Sequence, residues 1–452
     1  MVQMCFRRLS IACLLILYNL LFLSAGVLAL PFFIGSALVL KKRRKTFFKR
    51  LGLGTNIPSL PQRPIWIHAL SVGEVLASLP LVKAIRTEYP HHPLFFSVST
   101  WSGYETAQTR LEKEAGLIFF LPYDLIWIVR KTICKVDPSI FLLIETDFWP
   151  NLLFSLKKRG VPVILINGRL SPRSFRGYRR ILFFMKHVFA NFSICCMQTE
   201  KDMRRMANLG VPLNKMEVTG NVKFDQEVEA VSEIDQERIK ESLRISRNQK
   251  IFMAGSTHEG EEVMLLNVFV RLRNQFPELT MVIAPRDPNR APGICRMSEK
   301  TGLCVVLKRK IEQGSNNRFD VIVVDTVGEL RRLYSIADLV FIGGSLVRIG
   351  GHNPIEAAVF KKPIMFGPYM HNFEEIASLL MNADGAVVVV DEEELWKKGS
   401  MLLAESDRAK RMGESAYEVL RRHRGAVKRT QNIIKRFMGN EKDLALDREI
   451  DT

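Results

Sequence analysis

LVFIGGSLVRIGGHNPIEAAVFKKPIMFGP, residues 339–368, is the stretch on which the fold turns. It opens with a strand-length apolar run, Leu339 to Ile342, and breaks at Gly343-Gly344 and again at Gly350-Gly351. Asn353-Pro354 then starts a helix, with Glu356 three residues after Asn353, and a second apolar run from Pro363 to Phe366 follows. The order is strand, glycine-rich turn, helix, strand. Glycine lets backbone approach a ligand closely, and a helix start offers free N–H groups to a phosphate. The plainer reading is that Asn353 and Glu356 only cap the helix and the glycines only turn the chain. Two glycine pairs at one helix start, with a His beside them, favour a nucleotide-phosphate site.

The same alternation runs outward in both directions. Toward the N-terminus, apolar runs at Ile65–Ile67, Leu94–Val98, Leu117–Leu121, Ile140–Ile144, Val163–Ile166 and Ser193–Met197 alternate with helical stretches. Beyond a polar stretch, 226–249, read as a connecting helix, the runs resume at Ile251–Ala254, Met281–Ala284, Val305–Leu307 and Val321–Val324, and again at Val387–Val390. Strands alternating with helices predict parallel sheets covered on both faces. The expected organisation is an anchor with its basic flank (1–45), a first α/β domain (58–225), the linker, a second α/β domain (250–438) and a charged tail (439–452). Ligands of such sheets gather past the carboxyl ends of the strands.

The chain of 452 residues is 47% hydrophobic, enough for two cores, and its formal net charge of +18 favours anionic partners. Its seven cysteines show no C-x-x-C and no metal-ligand spacing, as expected of reduced thiols in a cytosol-facing body. Leu9 to Leu40 carries no charge. About twenty apolar residues cross a bilayer, whereas the apolar core of a signal peptide is ~7–15 residues. Arg7 and Arg8 precede the run, and Lys41-Lys-Arg-Arg-Lys45 follows it. The stronger positive flank predicts a single crossing with the body on the cytoplasmic side. An in-plane or re-entrant anchor stays open, because Pro31 can break a helix.

Four polar sites follow predicted strands. Glu74 opens the helix after the first, where it is either a catalytic carboxylate or a first-turn acid suited to the helix dipole. Ser99-Thr100 can merely cap a helix. Glu145 closes the apolar run Ile140–Ile144, and a buried acid needs a partner. Asn167-Gly-Arg169 opens a stretch to Lys186 with six cations, no acid, and interleaved Phe175, Tyr178, Phe183 and Phe184. That stretch is either a solvated face or a surface for an anionic amphiphile. Nucleic acid is the competing partner, but no nucleic-acid module is present, and the anchor argues against it. No DxD, HExxH or GxxxxGK[ST] occurs, so no metal is expected.

Eight motifs in order, HALSVGE (68–74), LIETDFWPN (143–151), INGRLS (166–171), TGNVKFD (219–225), GSTHEGEE (255–262), APRDPNR (284–290), DTVGELRRLY (325–334) and GGHNPIEAA (350–358), resemble the Kdo transferase family. The resemblance implies a GT-B glycosyltransferase fold, two Rossmann-like domains facing a cleft. It implies transfer of 3-deoxy-D-manno-octulosonic acid (Kdo) from CMP-Kdo to a lipid A precursor at the inner membrane, one or more times, with inversion. The donor is a substrate, no cofactor is implied, and anionic membrane lipid is a further partner. By the same resemblance Glu74 is the general base, and Glu145 and Lys223 stabilise the transition state. Pro285, Arg286, Gly328, Glu329, Leu330, Asn353, Pro354, Ile355 and Glu356 are implied to hold CMP. The rivals are a GT-B enzyme using a UDP-sugar, a nucleotide-sugar epimerase of the same fold, and an inactive lipid-binding scaffold.

Overall fold

The computed structural model describes residues 11–28, 41–53, 56–226, 231–312 and 318–439. The expected tail past Gly439 and residues 29–40 of the apolar run lie outside these. Two units form, Met1–Glu227 with His423–Thr452, and Val228–Arg422.

The first unit is built on β1 (Ile65–Ala69), β2 (Leu94–Val98), β3 (Leu117–Phe120), β4 (Ile140–Ile144), β5 (Val163–Gly168), β6 (Ile194–Met197) and β7 (Met216–Val218). They lie in the order β3-β2-β1-β4-β5-β6-β7, and every pairing is parallel. A parallel sheet is covered on both faces, so its strands are apolar throughout rather than alternating. Trp66, Phe95, Phe141 and Leu165 point to one core, while Ile65, Ile67, Phe96, Leu142 and Ile166 point to the other. The three-residue edge strand β7 has no apolar run to announce it in the sequence.

The second unit carries β8 (Ile251–Thr257), β9 (Thr280–Pro285), β10 (Val305–Leu307), β11 (Val321–Val323), β12 (Leu339–Ile342), β13 (Ile364–Phe366) and β14 (Ala386–Val388). Their order is β10-β11-β9-β8-β12-β13-β14, again with parallel pairings. In each sheet the order reverses beside the first strand, between β1 and β4 and between β8 and β12. That reversal opens a crevice at the carboxyl ends.

Two expected boundaries are corrected. The second domain does not run to 438, because helix Ala426–Met438 belongs to the first unit. Its apolar positions Ala426, Ile433 and Ile434 are buried, the last two in the core behind β1, β4 and β5. Asp225 accepts hydrogen bonds from the N–H of Gly425 and Val427, each at 2.6 Å, and Arg429 Nε donates to the Thr219 carbonyl at 2.7 Å. The polar stretch expected as a linker contains helix Glu233–Ser242, which is part of the second unit and is capped by Ser232 Oγ accepting from Asp235 N.

Candidate active site

In the first unit, the residues past β1 and β4 form one polar cluster. Glu74 lies in the first turn of helix Val72–Glu88, and its Oε2 reaches back to accept from Leu70 N at 2.5 Å. Burial pushes its carboxyl up to about 8, and the negative charge of Glu145 adds to that push. Glu145 follows β4 with φ 58°, and Asn167, next to last in β5, has φ 57°. Left-handed backbone is uncommon away from glycine, and here the two side chains so placed meet each other. The Glu145 carboxylate meets Lys223 Nζ at 3.0 Å and Asn167 Nδ2 at 3.3 Å. Asn167 Oδ1 in turn accepts from Val222 N at 3.1 Å, which fixes the segment that carries Lys223. Beside them His68 is fully buried, its Nδ1 2.9 Å from Ser97 Oγ and its Nε2 3.3 Å from Asp147 Oδ2. Trp149 Nε1 donates to the same Asp147 oxygen at 2.7 Å.

The second unit's crevice is differently made. His258 and His352, past β8 and β12, lie with rings parallel and Nε2 atoms 2.8 Å apart. Two ring nitrogens at that distance share one proton, one donating and the other accepting. Burial, then the Arg286 charge, holds His352 down to about 4, and burial also lowers His258. Glu261 is fully buried and accepts four backbone N–H groups: His258 at 2.9 Å, Gly344 at 2.7 Å, and Ser345 and Leu346 both at 2.9 Å. Gly350 and Gly351 N–H groups both go to the Gly344 carbonyl. The glycine-rich turn expected to cradle a phosphate therefore spends these N–H groups on the chain itself. Its close approach to β8 still needs glycine, since a Cβ on Gly343 would strike the Ser256 carbonyl.

The helix expected at Asn353 is a single turn, Ile355–Ala358, with Pro354 at its N-cap. Asn353 Oδ1 accepts from Ile355 N at 3.2 Å. A helix of one turn has little dipole, so it is not an anion site by itself. Burial raises the Glu356 carboxyl, opposed by Arg331 and Arg286. Arg286 follows Pro285 at the end of β9, its N–H donating to the Thr257 carbonyl at 3.0 Å. Gly328 turns with φ 96°, Glu329 is paired to Lys308 at 3.1 Å, and Leu330 opens a helical turn. Arg331 Nε and Nη2 are buried with no hydrogen-bond partner among the described residues.

A family model for 3-deoxy-D-manno-octulosonic-acid transferase matches residues 45–226. A 3-deoxy-D-manno-octulosonic acid transferase of Haemophilus influenzae is 33% identical over 90% of this chain and 95% of its own length. The chain belongs to the Kdo transferase family. Another Kdo transferase, from Chlamydophila psittaci, is 30% identical over 92% of this chain and 96% of its own. The expected fold is likewise found. A glycosyltransferase structure from Rickettsia africae superposes with TM-score 0.57, covering 84% of this chain and all of that one at 14% identity, a likeness of fold. The chain is thus a GT-B Kdo transferase.

Within this Kdo transferase, the three residues expected to be catalytic, Glu74, Glu145 and Lys223, stand together in the first unit. The residues expected to hold the nucleotide all end or follow strands of the second unit. Sequence reasoning missed Asp147, the His258–His352 pair, Arg331 and the role of Glu261. The two histidines are 94 residues apart. The usable signal was that both lie in Gly/Ser turns flanking the strand-order reversal.

Proposed function

We propose that the chain transfers Kdo from CMP-Kdo to a hydroxyl of a lipid A precursor, lipid IVA, in one inverting step at the cytoplasmic face of the inner membrane. The acceptor oxygen attacks the anomeric carbon as the bond to the CMP phosphate oxygen breaks. Glu74 takes the acceptor proton, and CMP leaves with the electron pair. The observation that carries this reading is the half-buried Glu74 carboxyl, held near 8 beside the Glu145–Lys223 pair. A base poised near working pH is efficient because it is both free to accept and strong enough to hold the proton. Lys223, kept in place by Glu145, supplies positive charge for the developing phosphate. The reading needs no cofactor beyond the donor.

CMP is assigned to Pro285, Arg286, Gly328, Glu329, Leu330 and Asn353–Glu356. The buried Arg331 Nε and Nη2, without a hydrogen-bond partner among the described residues, support an anionic ligand there. Purified protein given CMP-Kdo or a UDP-sugar with lipid A precursor, products weighed by mass spectrometry, tests the whole reading. Kdo addition from CMP-Kdo alone is expected; transfer from the UDP-sugar instead would overturn it. Asn353→Ala and Glu356→Ala are each expected to weaken CMP about tenfold, as loss of a hydrogen bond to a charged group commonly does. Calorimetric titration of folded variants checks this, and parental affinity in both would reduce this stretch to a structural role.

The partners proposed on the membrane side are anionic lipids, with no nucleic acid. Helix Pro172–Arg180 buries no residue and carries Arg173, Arg176, Arg179 and Arg180. Anionic lipid attracts nearby basic residues by about 1 kcal/mol each. Neutralising all four is expected to lower vesicle co-sedimentation in a salt-dependent way and to spare CMP affinity. Unchanged sedimentation would make the helix a solvated face.

A further inference from the structure

The chain is held to the first unit on both sides of residues 29–40, at Tyr18 and Asn19 and again at Phe47 and Arg50. On the near side, helix Ile11–Leu28 lies against the first unit. Leu14, Leu15, Tyr18 and Phe22 are half-covered, while Ile16, Leu17, Leu20 and Leu21 are exposed. Tyr18 Oη donates to Asp124 Oδ2 at 2.9 Å, and its ring stacks on Phe184 at 5.9 Å. Asn19 and Asn151 exchange hydrogen bonds at 3.1 and 2.9 Å. Asp124 is buried and also accepts from the N–H of Asn151 and Leu152 at 2.8 and 2.9 Å, so this clamp is tied to the segment following Trp149.

On the far side, helix Lys41–Arg50 docks on the residues just before Asp124. Phe47 packs on Tyr123 with ring centroids 5.8 Å apart. Arg50 Nε donates to the Leu121 carbonyl at 3.0 Å, Tyr123 N donates to the Arg50 carbonyl at 2.9 Å, and the guanidinium lies 4.4 Å from the Tyr123 ring centre. Tyr18 and Phe47 thus touch adjacent residues, Asp124 and Tyr123.

A single crossing would set the two ends of the run on opposite sides of about 30 Å of hydrocarbon. Adjacent residues are about 3.8 Å apart and cannot meet both ends. Two crossings would need about forty apolar residues, whereas Leu20 to Leu40 provides 21. We infer that the run enters and leaves the membrane on one side, so that its N-terminal flank lies on the same face as the catalytic body. The exposed side of helix Ile11–Leu28 then faces the near leaflet, as an interfacial helix does. The flanking charges agree: Arg7 and Arg8 on one side and Lys41–Lys45 on the other are both cationic, and such flanks are retained on the cytoplasmic side. This takes the in-plane or re-entrant alternative over the single crossing and rests on the run being membrane-inserted.

The test uses the full chain in membranes. One variant keeps only Cys5, and a benchmark keeps only Cys304, which is exposed on the body. Each is treated with a membrane-impermeant maleimide in intact spheroplasts and in inverted vesicles, scored against the same sample in detergent. Cys5 is expected to react in inverted vesicles and not in spheroplasts, as Cys304 does. Reaction of Cys5 in spheroplasts, or its absence from the mature chain by mass spectrometry, would overturn the inference. Because the buried Cys195 and Cys196 are replaced in those variants, a second arm leaves the natural cysteines in place. Asn19→Cys with Asn151→Cys is treated with a short bis-maleimide in membranes and mapped by peptide mass. A 19–151 link is expected, and its absence would sink the clamp. Release of the protein by a high-salt wash would instead remove the membrane reading on which the inference rests, a failure distinct from a membrane-retained chain with Cys5 outside.

Discussion

Glu74→Gln is expected to cut turnover by roughly 10²–10⁴-fold, the usual contribution of a positioned general base. The amide keeps an oxygen that can accept from Leu70 N, so fold and CMP affinity should hold. The parent's pH profile carries a second signature. A base works only without its proton, so kcat/KM should climb with pH and level off above about 8, the value to which burial and then Glu145 push this carboxyl. The two neighbours act in opposite senses. Removing the negative charge in Glu145→Gln should move the rising limb to lower pH, and removing the positive charge in Lys223→Met should move it higher. Stability follows the same proton. The folded pKa lies above the unfolded one, so the folded state holds the proton more tightly, and stability falls as pH rises from the unfolded value to about 8. Glu74→Gln removes that loss, so its melting temperature should match or exceed the parent's at alkaline pH. Near-parental turnover in Glu74→Gln would end the assignment, and a flat profile across pH 8 would detach Glu74 from the rate.

The strands were legible because a parallel strand buried on both faces is an unbroken apolar run, as at Ile140–Ile144. Glu145 was legible for a related reason, since a carboxylate ending such a run must be paired, and Lys223 pairs it. Other features depend on contacts that sequence spacing does not encode. Helix Ala426–Met438 shows an apolar face at Ala426, Ile433 and Ile434, but that pattern does not say which sheet the face covers. The two ends of the apolar run read in sequence as the two sides of a crossing, and only tertiary structure places Tyr18 and Phe47 on neighbouring residues. The turn at Gly343–Gly351 carries the residue types of a phosphate cradle, and only tertiary structure shows Glu261 already there.

Glu261→Ala is expected to be among the most destabilising single changes in the second unit. Glu261 Oε1 accepts from Ser345 and Leu346, and Oε2 from His258 and Gly344, with none of the side chain exposed. Alanine leaves those four donors without their acceptor in a closed turn. A buried unsatisfied group costs about 1–3 kcal/mol, so a loss of about 4 kcal/mol or more is expected. For a unit of this size that lowers the melting temperature by roughly 10 °C. Glu261→Gln should also destabilise, because its amide NH₂ would be turned on two of the donors. The emptied turn would then be what its glycines first suggested, a ring of backbone N–H groups open to an anion. Formate or acetate should therefore raise the melting temperature of Glu261→Ala while leaving the parent unmoved, with chloride at equal ionic strength as the control. If Glu261→Ala melts with the parent, the carboxylate is not what holds the turn. If it melts early and no small carboxylate restores it, the cost lies in collapse of the turn rather than in its vacant donors.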